Sequence, residues 1–366
     1  MISFKRSQDI LIENLGRYLS EMILYGRFVK YKVLDEILKT YIPNLPKEIN
    51  LFIDMTPVLM KLYSFENIAN PLGILSCMVN LPLHYRHYFN RLNIKSNIFL
   101  IYSSNDSANN YKFISGYNSK ERIMKECNAL VHNIILQNIE LLSTLTPYFP
   151  GIYLKKGTVE PTVIVYDLIS KFSKNGTITT PNIFISSTDY AYQLPIYAYN
   201  TLYIYKKNMV GENTKSEDVS FGISYNNAFN TYIKLNNKQV LEESLNPEWI
   251  SSFMLLNGLS CRDIKVILSY KRAIQILRHI KNSYSVISPE TIYNTIQLLY
   301  KEKEVTLEEI YARYCAIDLN YQLNLYRQLP ESLESNFLID VYDQQALYDI
   351  SNLYFTGINS IDFQKL

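Results

Sequence analysis

Three acidic residues follow short apolar segments of the sequence. Asp54 ends the segment INLFID, Glu160 lies just beyond GIYLKKG, and Asp189 lies just beyond NIFISS. In open α/β sheets, ligands bind at the carboxyl ends of the parallel strands. Acids at these positions are therefore the first candidates for a catalytic site. The third segment looks like a strand that should end in several aspartates, but it offers only Asp189, between Thr188 and Tyr190.

The elements that would position these acids alternate along the chain. Apolar runs without alternation are typical of buried parallel strands, and Pro161 stands where prolines open helices. Strands alternating with helices predict an α/β fold with a parallel sheet flanked by helices. We expect strands at 49–54, 97–104, 151–157 and 182–187. We expect two helices within 8–41, a helical stretch that follows the first strand and ends near residue 91, and helices at 119–146 and 160–175. Residues 196–240 should add an antiparallel extension to the sheet.

This pattern divides the chain into three parts. Residues 1–48 form a helical N-terminal extension, residues 49–245 an α/β domain, and residues 246–366 a helical C-terminal region. No internal repeat is evident.

Composition describes an ordinary folded protein. Of 366 residues, 48% are hydrophobic and 19% charged, which excludes a disordered chain. The net charge of +2, from 36 basic and 34 acidic residues, is too balanced for a chain-wide nucleic-acid surface, so any such surface must be local. The 32 tyrosines reflect either an AT-rich genome, as in many viruses and some bacteria, or platforms on which bases stack.

Cysteine usage and the N-terminus favour an intracellular protein. The four cysteines lack the spacing of a zinc site or a disulfide framework. The first residues contain no apolar signal core, and no apolar stretch is long enough to span a membrane. We expect a cytoplasmic or host-cell location, with a virion among the candidates.

Five segments, in order, resemble the flap endonuclease and 5′→3′ exonuclease family, whose nuclease domain is PIN-like. IDMTPVLMKLY resembles the opening motif that carries the first metal-binding acid, and NIFLIYSSN resembles the second strand. GTVEPTVIVYDLI and ISSTDYAYQL resemble the two following acidic motifs. LNPEWISSFMLLNGLSCRDIKVILSYKRAIQIL resembles the last acidic segment and the helix–hairpin–helix beyond it, although the hairpin has lost its glycines.

Most of the family's acid positions hold other residues in this chain. The resemblance places Asp54 and Glu160 on two of them, as weak candidate metal ligands. The remaining positions carry no carboxylate: Ser103, Thr162, Val163, Thr188, Tyr190, Leu259 and Arg262. Two Mg²⁺ ions about 4 Å apart need several carboxylates to hold them and to offset their mutual repulsion. We therefore expect a catalytically inactive relative that uses no cofactor.

The resemblance also implies candidate nucleic-acid contacts. Lys61 lies in the opening motif, and Lys120 and Arg122 lie where the family has a basic helical motif. The helix after the hairpin carries four further cations, for which a solvated basic face is the alternative. These are Lys271, Arg272, Arg278 and Lys281.

Three hypotheses remain open. The first is an inactive nuclease-like protein that binds DNA or RNA as a subunit of a larger assembly, with a viral assembly among the candidates. The second is an active Mg²⁺-dependent nuclease whose acids have rearranged, with Asp54, Glu160 and Asp189 as catalytic residues. The third is a virion or assembly protein without nucleic-acid binding. The simpler interpretation makes Asp189 a turn or cap residue and Asp167 a solvated helix residue, and His84 and His87 ordinary surface histidines.

Overall fold

The fold is known from a computed structural model, which describes the following parts of the chain: Leu38 and residues 46–55, 81–82, 85–103, 152–157, 159–173, 180–198, 200–206, 219–225, 228–232, 234–235, 238–239, 247–259, 264–284 and 286–330. The strands within these residues are β1 Glu48–Asp54, β2 Lys95–Ser103, β3 Ile152–Gly157, β4 Asn182–Ser186, β5 Thr201–Lys206, β6 Val219–Tyr225, β7 Ala228–Tyr232, β8 Lys234–Leu235 and β9 Lys238–Gln239. The helices are α1 Pro161–Phe172, α2 Leu194–Tyr197, α3 Pro247–Asn257, α4 Tyr270–Ser283, α5 Pro289–Leu299, α6 Leu307–Ile317 and α7 Leu319–Tyr326, with a 3₁₀ helix at Asp189–Gln193 and a helical segment at 85–91.

Seven strands form one sheet in the order β3-β2-β1-β4-β5-β6-β7. Strands β3, β2, β1, β4 and β5 run parallel, and β6 and β7 continue the sheet antiparallel. The expected α/β fold, with a parallel sheet flanked by helices, is confirmed. The two helices expected within residues 8–41 and the helix expected at 119–146 lie outside the described residues, apart from Leu38, which is helical.

The antiparallel extension is smaller than the sequence pattern suggests. Strand β5 pairs with β4 in parallel, from Asn182↔Thr201 to Ser186↔Tyr205. The reason is the connection: the 3₁₀ helix and α2 carry the chain back to the end of the sheet where β4 begins. A crossover of about a dozen residues is what a parallel pair needs. The antiparallel part therefore begins only at β6.

A ladder of asparagines fixes the register of the central strands at their amino ends. The Asn97 side-chain amide donates to Asn50 Oδ1 (3.1 Å), and that of Asn50 donates to Asn182 Oδ1 (3.0 Å). Asn50 and Asn182 are buried. A slip of one residue would turn every side chain of a strand to the other face, and it would separate these buried amides from their partners. The ladder aligns β2, β1 and β4, and so aligns their carboxyl ends.

One apolar core joins the sheet to the C-terminal helices. Phe52 stacks on Phe99, with ring centroids 4.8 Å apart, and α1 covers this face of the sheet. Side chains of α3 to α7 belong to the same cluster of buried residues. None of the helices in the described ranges combines the length and apolar character needed to cross a membrane.

Asp167 is buried, so its predicted position on a solvated helix face is wrong. Its side chain is 2% exposed, and it accepts from Arg327 Nε at 2.9 Å and from Lys171 Nζ at 2.7 Å. Arg327 comes from the end of α7. The carboxylate thus fastens the last described helix to α1, a contact between residues 160 positions apart.

Candidate functional site

The strand order reverses between β1 and β4, and a buried carboxylate, that of Asp54, lies at this point of the sheet. Parallel α/β sheets bind ligands beside the carboxyl ends of strands at such a switch point. Asp54 ends β1 and Ser186 ends β4. The Ser186 hydroxyl lies 2.6 Å from Asp54 Oδ2 and donates a hydrogen bond to it. Asp54 is only 4% exposed, so this buried carboxylate is partly satisfied by a neutral side chain.

The turn after β4 uses its polar groups to hold its own shape. The Ser186 hydroxyl accepts from the Thr188 N–H, and the Thr188 hydroxyl accepts from the Tyr190 N–H as the cap of the 3₁₀ helix. The Tyr203 hydroxyl donates to the Thr188 carbonyl at 2.6 Å. Tyr190 is fully buried. Two positions where the family has acids are thus occupied by a capping hydroxyl and a core ring.

The neighbouring acid positions are also filled by neutral side chains. Ser103 ends β2 and is buried. At the start of α1, Val163 is buried, and the fully buried Thr162 hydroxyl finds no hydrogen-bond partner in the described part of the chain. Glu160 precedes α1 at its cap position but makes no side-chain capping bond. Glu160 is half-buried, and it is the one residue with a carboxylate among Ser103, Glu160, Thr162 and Val163.

Asp189 begins the 3₁₀ helix, whose cap is Thr188, so it lies in the turn as the simpler interpretation held. It is half-buried, and this burial raises the pKa of its carboxyl above the usual range. Within the residues that the structure describes, no three His, Cys, Asp or Glu side chains are grouped so as to share one metal ion. Asp54, Glu160 and Asp189 are all described, and the structure does not bring them together into such a group.

Helices α3 and α4 follow the sheet and are joined by residues 258–269, of which 260–263 lie outside the described part of the chain. Gly258 directly follows α3 with φ of 79°, and Leu259 and Ile264 pair antiparallel across the connection. The N–H groups of Ile267 and Leu268 both donate to the Leu256 carbonyl. Leu259, at an acid position of the family, is 3% exposed. The described part of the connection is therefore held by its own backbone hydrogen bonds and by apolar packing.

Helix α6 braces this connection from outside. The Arg313 guanidinium donates to the Lys265 carbonyl and is held by Glu309 at 2.6 Å. The side chain of Arg313 is 12% exposed. The sequence does not predict this contact of Arg313, because an Arg four residues after a Glu is an ordinary pair on a helix surface.

Helix α4 presents the four predicted cations on its surface. Lys271, Arg272, Arg278 and Lys281 are all exposed. Arg272 lies over the Tyr300 ring at 5.1 Å and approaches Glu302 at 3.5 Å. Lys281 lies over the Trp249 ring at 5.4 Å. The helix contains no acidic residue. We call the exposed side of α4 that carries these cations the basic face.

The remaining predicted positions lie outside the described residues. They are Lys61, Lys120, Arg122, Arg262 and His84. His87 is exposed.

A buried polar network that the sequence pattern did not predict lies behind the turn after β4. Gln193 lies in register with the family's turn, and its amide donates to the Ile317 carbonyl at 3.1 Å, while its oxygen accepts from the Ser251 hydroxyl at 2.7 Å. Tyr197 donates to Asp318 at 3.2 Å, and burial, followed by the charge of Asp318, raises the Tyr197 pKa far above the ordinary tyrosine value. The network joins the turn after β4 to α3 and to the α6–α7 corner.

Comparison with known proteins finds likeness among solved structures. No family model matches the chain. No curated protein matches it either. The bacteriophage T5 protein co-crystallised with metal ions aligns with a TM-score of 0.47 and 11% identity, over 85% of this chain and 100% of that one.

Two further structures of the same phage are similar. T5 5′-exonuclease with bound zinc ions has a TM-score of 0.45 and 11% identity, over 85% of this chain and 100% of that one. The T5 flap endonuclease, in a pseudo-enzyme–product complex with DNA and metal ions, has a TM-score of 0.44 and 11% identity, over 84% and 99%. The likeness is to the family that the sequence motifs resemble, and at this identity it concerns the fold alone.

Proposed function

We propose that this chain is a non-hydrolytic, nuclease-like protein that binds nucleic acid through the basic face of α4 and serves as a subunit of a larger assembly. The observation that carries the proposal is α4 itself: it exposes Lys271, Arg272, Arg278 and Lys281 and contains no acid. A local cluster of cations in a chain of net charge +2 suits a polyanionic partner.

The carboxyl edge of the sheet supports the non-hydrolytic part of the proposal. Paired Mg²⁺ ions need several hard oxygen ligands with negative charge. The Asp54 carboxylate instead accepts a hydrogen bond from Ser186. Thr188 caps the 3₁₀ helix, and the side chains of Tyr190 and Val163 are buried in the core. This donor set does not fit a two-metal centre, and the proposed function requires no metal cofactor.

Cation substitution on α4 tests nucleic-acid binding. Each phosphate contact that is lost should reduce the slope of log affinity against log salt by about 0.7 to 0.9. The double variant Lys271→Gln with Arg278→Gln should therefore weaken binding at low salt and flatten that slope by roughly 1.4 to 1.8. Lys47→Gln with Lys95→Gln is the control, because it makes the same charge change at the amino ends of β1 and β2. Equal effects in the two pairs, or no binding by the unaltered chain, would refute the proposal.

A nuclease assay tests the absence of hydrolysis and the rival enzyme hypothesis. The chain should leave flap, nicked and single-stranded DNA intact in Mg²⁺ or Mn²⁺. Cleavage that disappears in Asp54→Asn, with folding retained, would instead establish an active nuclease. Asp54→Asn is preferred to alanine because it keeps a group that can accept from the Ser186 hydroxyl. Absence of both cleavage and binding would leave the assembly protein as the remaining hypothesis.

A further inference from the structure

Two exposed tyrosines flank the basic face of α4. Tyr270 is the first residue of the helix and is 36% exposed, and Tyr284 follows the helix and is 40% exposed. Tyrosine rings of this size are usually buried or partnered when they lie on a helix that packs into a core. Here they stand at the two ends of a helix whose exposed side is otherwise polar and cationic.

The cations lie on the helix between the two tyrosines. Lys271 is in the first turn of α4 and Lys281 in its last turn, and Tyr284 follows the helix in extended backbone. Arg278 lies between them, also exposed. Exposed cations that could contact phosphates therefore lie along the helix between two exposed rings.

The ring of Tyr270 is held in place. It packs edge-to-face against Phe253, with centroids 5.4 Å apart, and Phe253 is 4% exposed. A ring fixed by the core loses little side-chain entropy when another ring stacks on it, which favours binding. Base stacking on aromatic side chains is how proteins hold single strands without reading their sequence.

A surface that contacts only a duplex offers its rings no base to stack on, because the bases of a duplex are already stacked on one another. We infer that the basic face, with Tyr270 and Tyr284 at its ends, binds single-stranded nucleic acid in preference to duplex. This inference rests on the proposed function and adds the class of ligand. The helix that separates the two tyrosines is 14 residues and therefore about 21 Å long, which matches about six nucleotides at a stacked spacing of about 3.4 Å.

The chain provides its own reporter for the test. Trp249 is the only tryptophan in the sequence, and Lys281 lies over its ring. A phosphate that draws Lys281 away should change the tryptophan emission. Titration with oligothymidylates of about four to twelve nucleotides should show affinity rising with length until about six and more slowly beyond. A matched duplex should bind less tightly.

Substitutions separate stacking from charge. Tyr270→Leu and Tyr284→Leu should each weaken single-strand binding about tenfold, while duplex binding stays unchanged. Tyr270→Phe should retain the affinity, because it keeps the ring. Tyr311→Leu is the control, since Tyr311 is also 40% exposed but lies on α6. Urea unfolding of each variant should confirm that the fold is intact.

The outcomes distinguish this inference from the proposed function. Duplex binding as tight as single-strand binding, or tyrosine variants that behave like Tyr311→Leu, would overturn the single-strand inference while the charge-dependent binding stands. If neither ligand binds, both the inference and the proposed function fail. Single-strand binding that depends on Tyr270 but not on Lys271 and Arg278 would support the stacking site and refute the basic face as its phosphate contact.

Discussion

The substitution Gly258→Ala should strongly destabilise the connection between α3 and α4. Gly258 has φ of 79°, in the left-handed region that side chains other than glycine rarely adopt. An added Cβ would lie 2.6 Å from the Ile264 carbonyl oxygen and 2.9 Å from the Val266 nitrogen. Both atoms belong to the backbone, so neither can move aside as a flexible side chain would.

The cost can be worked out from these two effects. The left-handed conformation costs a residue with a Cβ about 1–2 kcal/mol, and forcing a methyl group into a filled space costs about 1–3 kcal/mol. We expect a loss of about 3 kcal/mol from the free energy of unfolding, a large share of the roughly 5–15 kcal/mol that holds a domain. Urea unfolding followed by Trp249 emission measures it, because Trp249 lies on α3.

The matched control is Asn257→Ala at the preceding position. Asn257 is the last residue of α3 and is half-buried, so alanine there should change the unfolding free energy by less than about 0.5 kcal/mol. A loss below about 1 kcal/mol in Gly258→Ala would contradict the reasoning. It would mean that the connection accepts a side chain and that its backbone geometry does not depend on glycine.

Two further predictions concern buried or half-buried carboxylates. Arg327→Met should lower the free energy of unfolding by about 1 kcal/mol, because Arg327 is half-exposed and Lys171 still neutralises Asp167. The same substitution in an Asp167→Asn background should lower it by less. Equal losses in the two backgrounds would show that the Arg327–Asp167 pair contributes nothing to stability. Asp189→Asn should stabilise the chain at pH 7. Burial raises the Asp189 pKa, so the folded state binds its proton more tightly and the unaltered chain loses stability as pH rises through the carboxyl's titration range. The stability gained by Asp189→Asn should therefore vanish below about pH 4, the ordinary aspartate range. Measuring the free energy of unfolding of both proteins at pH 7 and below about pH 4 tests this, and a difference that is the same at the two pH values would contradict the account.

The elements with a local signature were predictable from the sequence. Strand β1 is an apolar run that ends in Asp54, and α1 begins at Pro161 because proline fits the first turn of a helix and lacks the N–H that would go unbonded there. Both features depend on neighbouring residues alone. The exposed cations of α4 were predictable for the same reason, since apolar and polar positions alternate with the helical period.

Features that depend on distant partners were not predictable. Asp167 has a partner, Arg327, 160 residues away, and nothing near it in the sequence indicates that its carboxylate is buried. Gln193 bonds to the Ile317 carbonyl across 124 residues. The direction of β5 likewise follows from the path of a connection rather than from the strand's composition, which is the same for either direction.

The carboxyl edge of the sheet and the basic face of α4 have different electrostatic requirements, so the proposed absence of hydrolysis is compatible with the proposed binding of nucleic acid. A metal centre needs carboxylates gathered at the carboxyl ends of the strands, and the neutral side chains there, such as Ser186 and Thr188, are committed to local hydrogen bonds. A phosphate-binding helix needs exposed cations, which α4 supplies without any acid in its own sequence. Helix α4 is positioned by apolar packing, and its buried side chains belong to the same core cluster as Val163 and Tyr190 at the carboxyl edge. Neutral, buried side chains at the edge are compatible with this packing and remove no cation from α4, so the proposed binding does not require the carboxylates that cleavage would need.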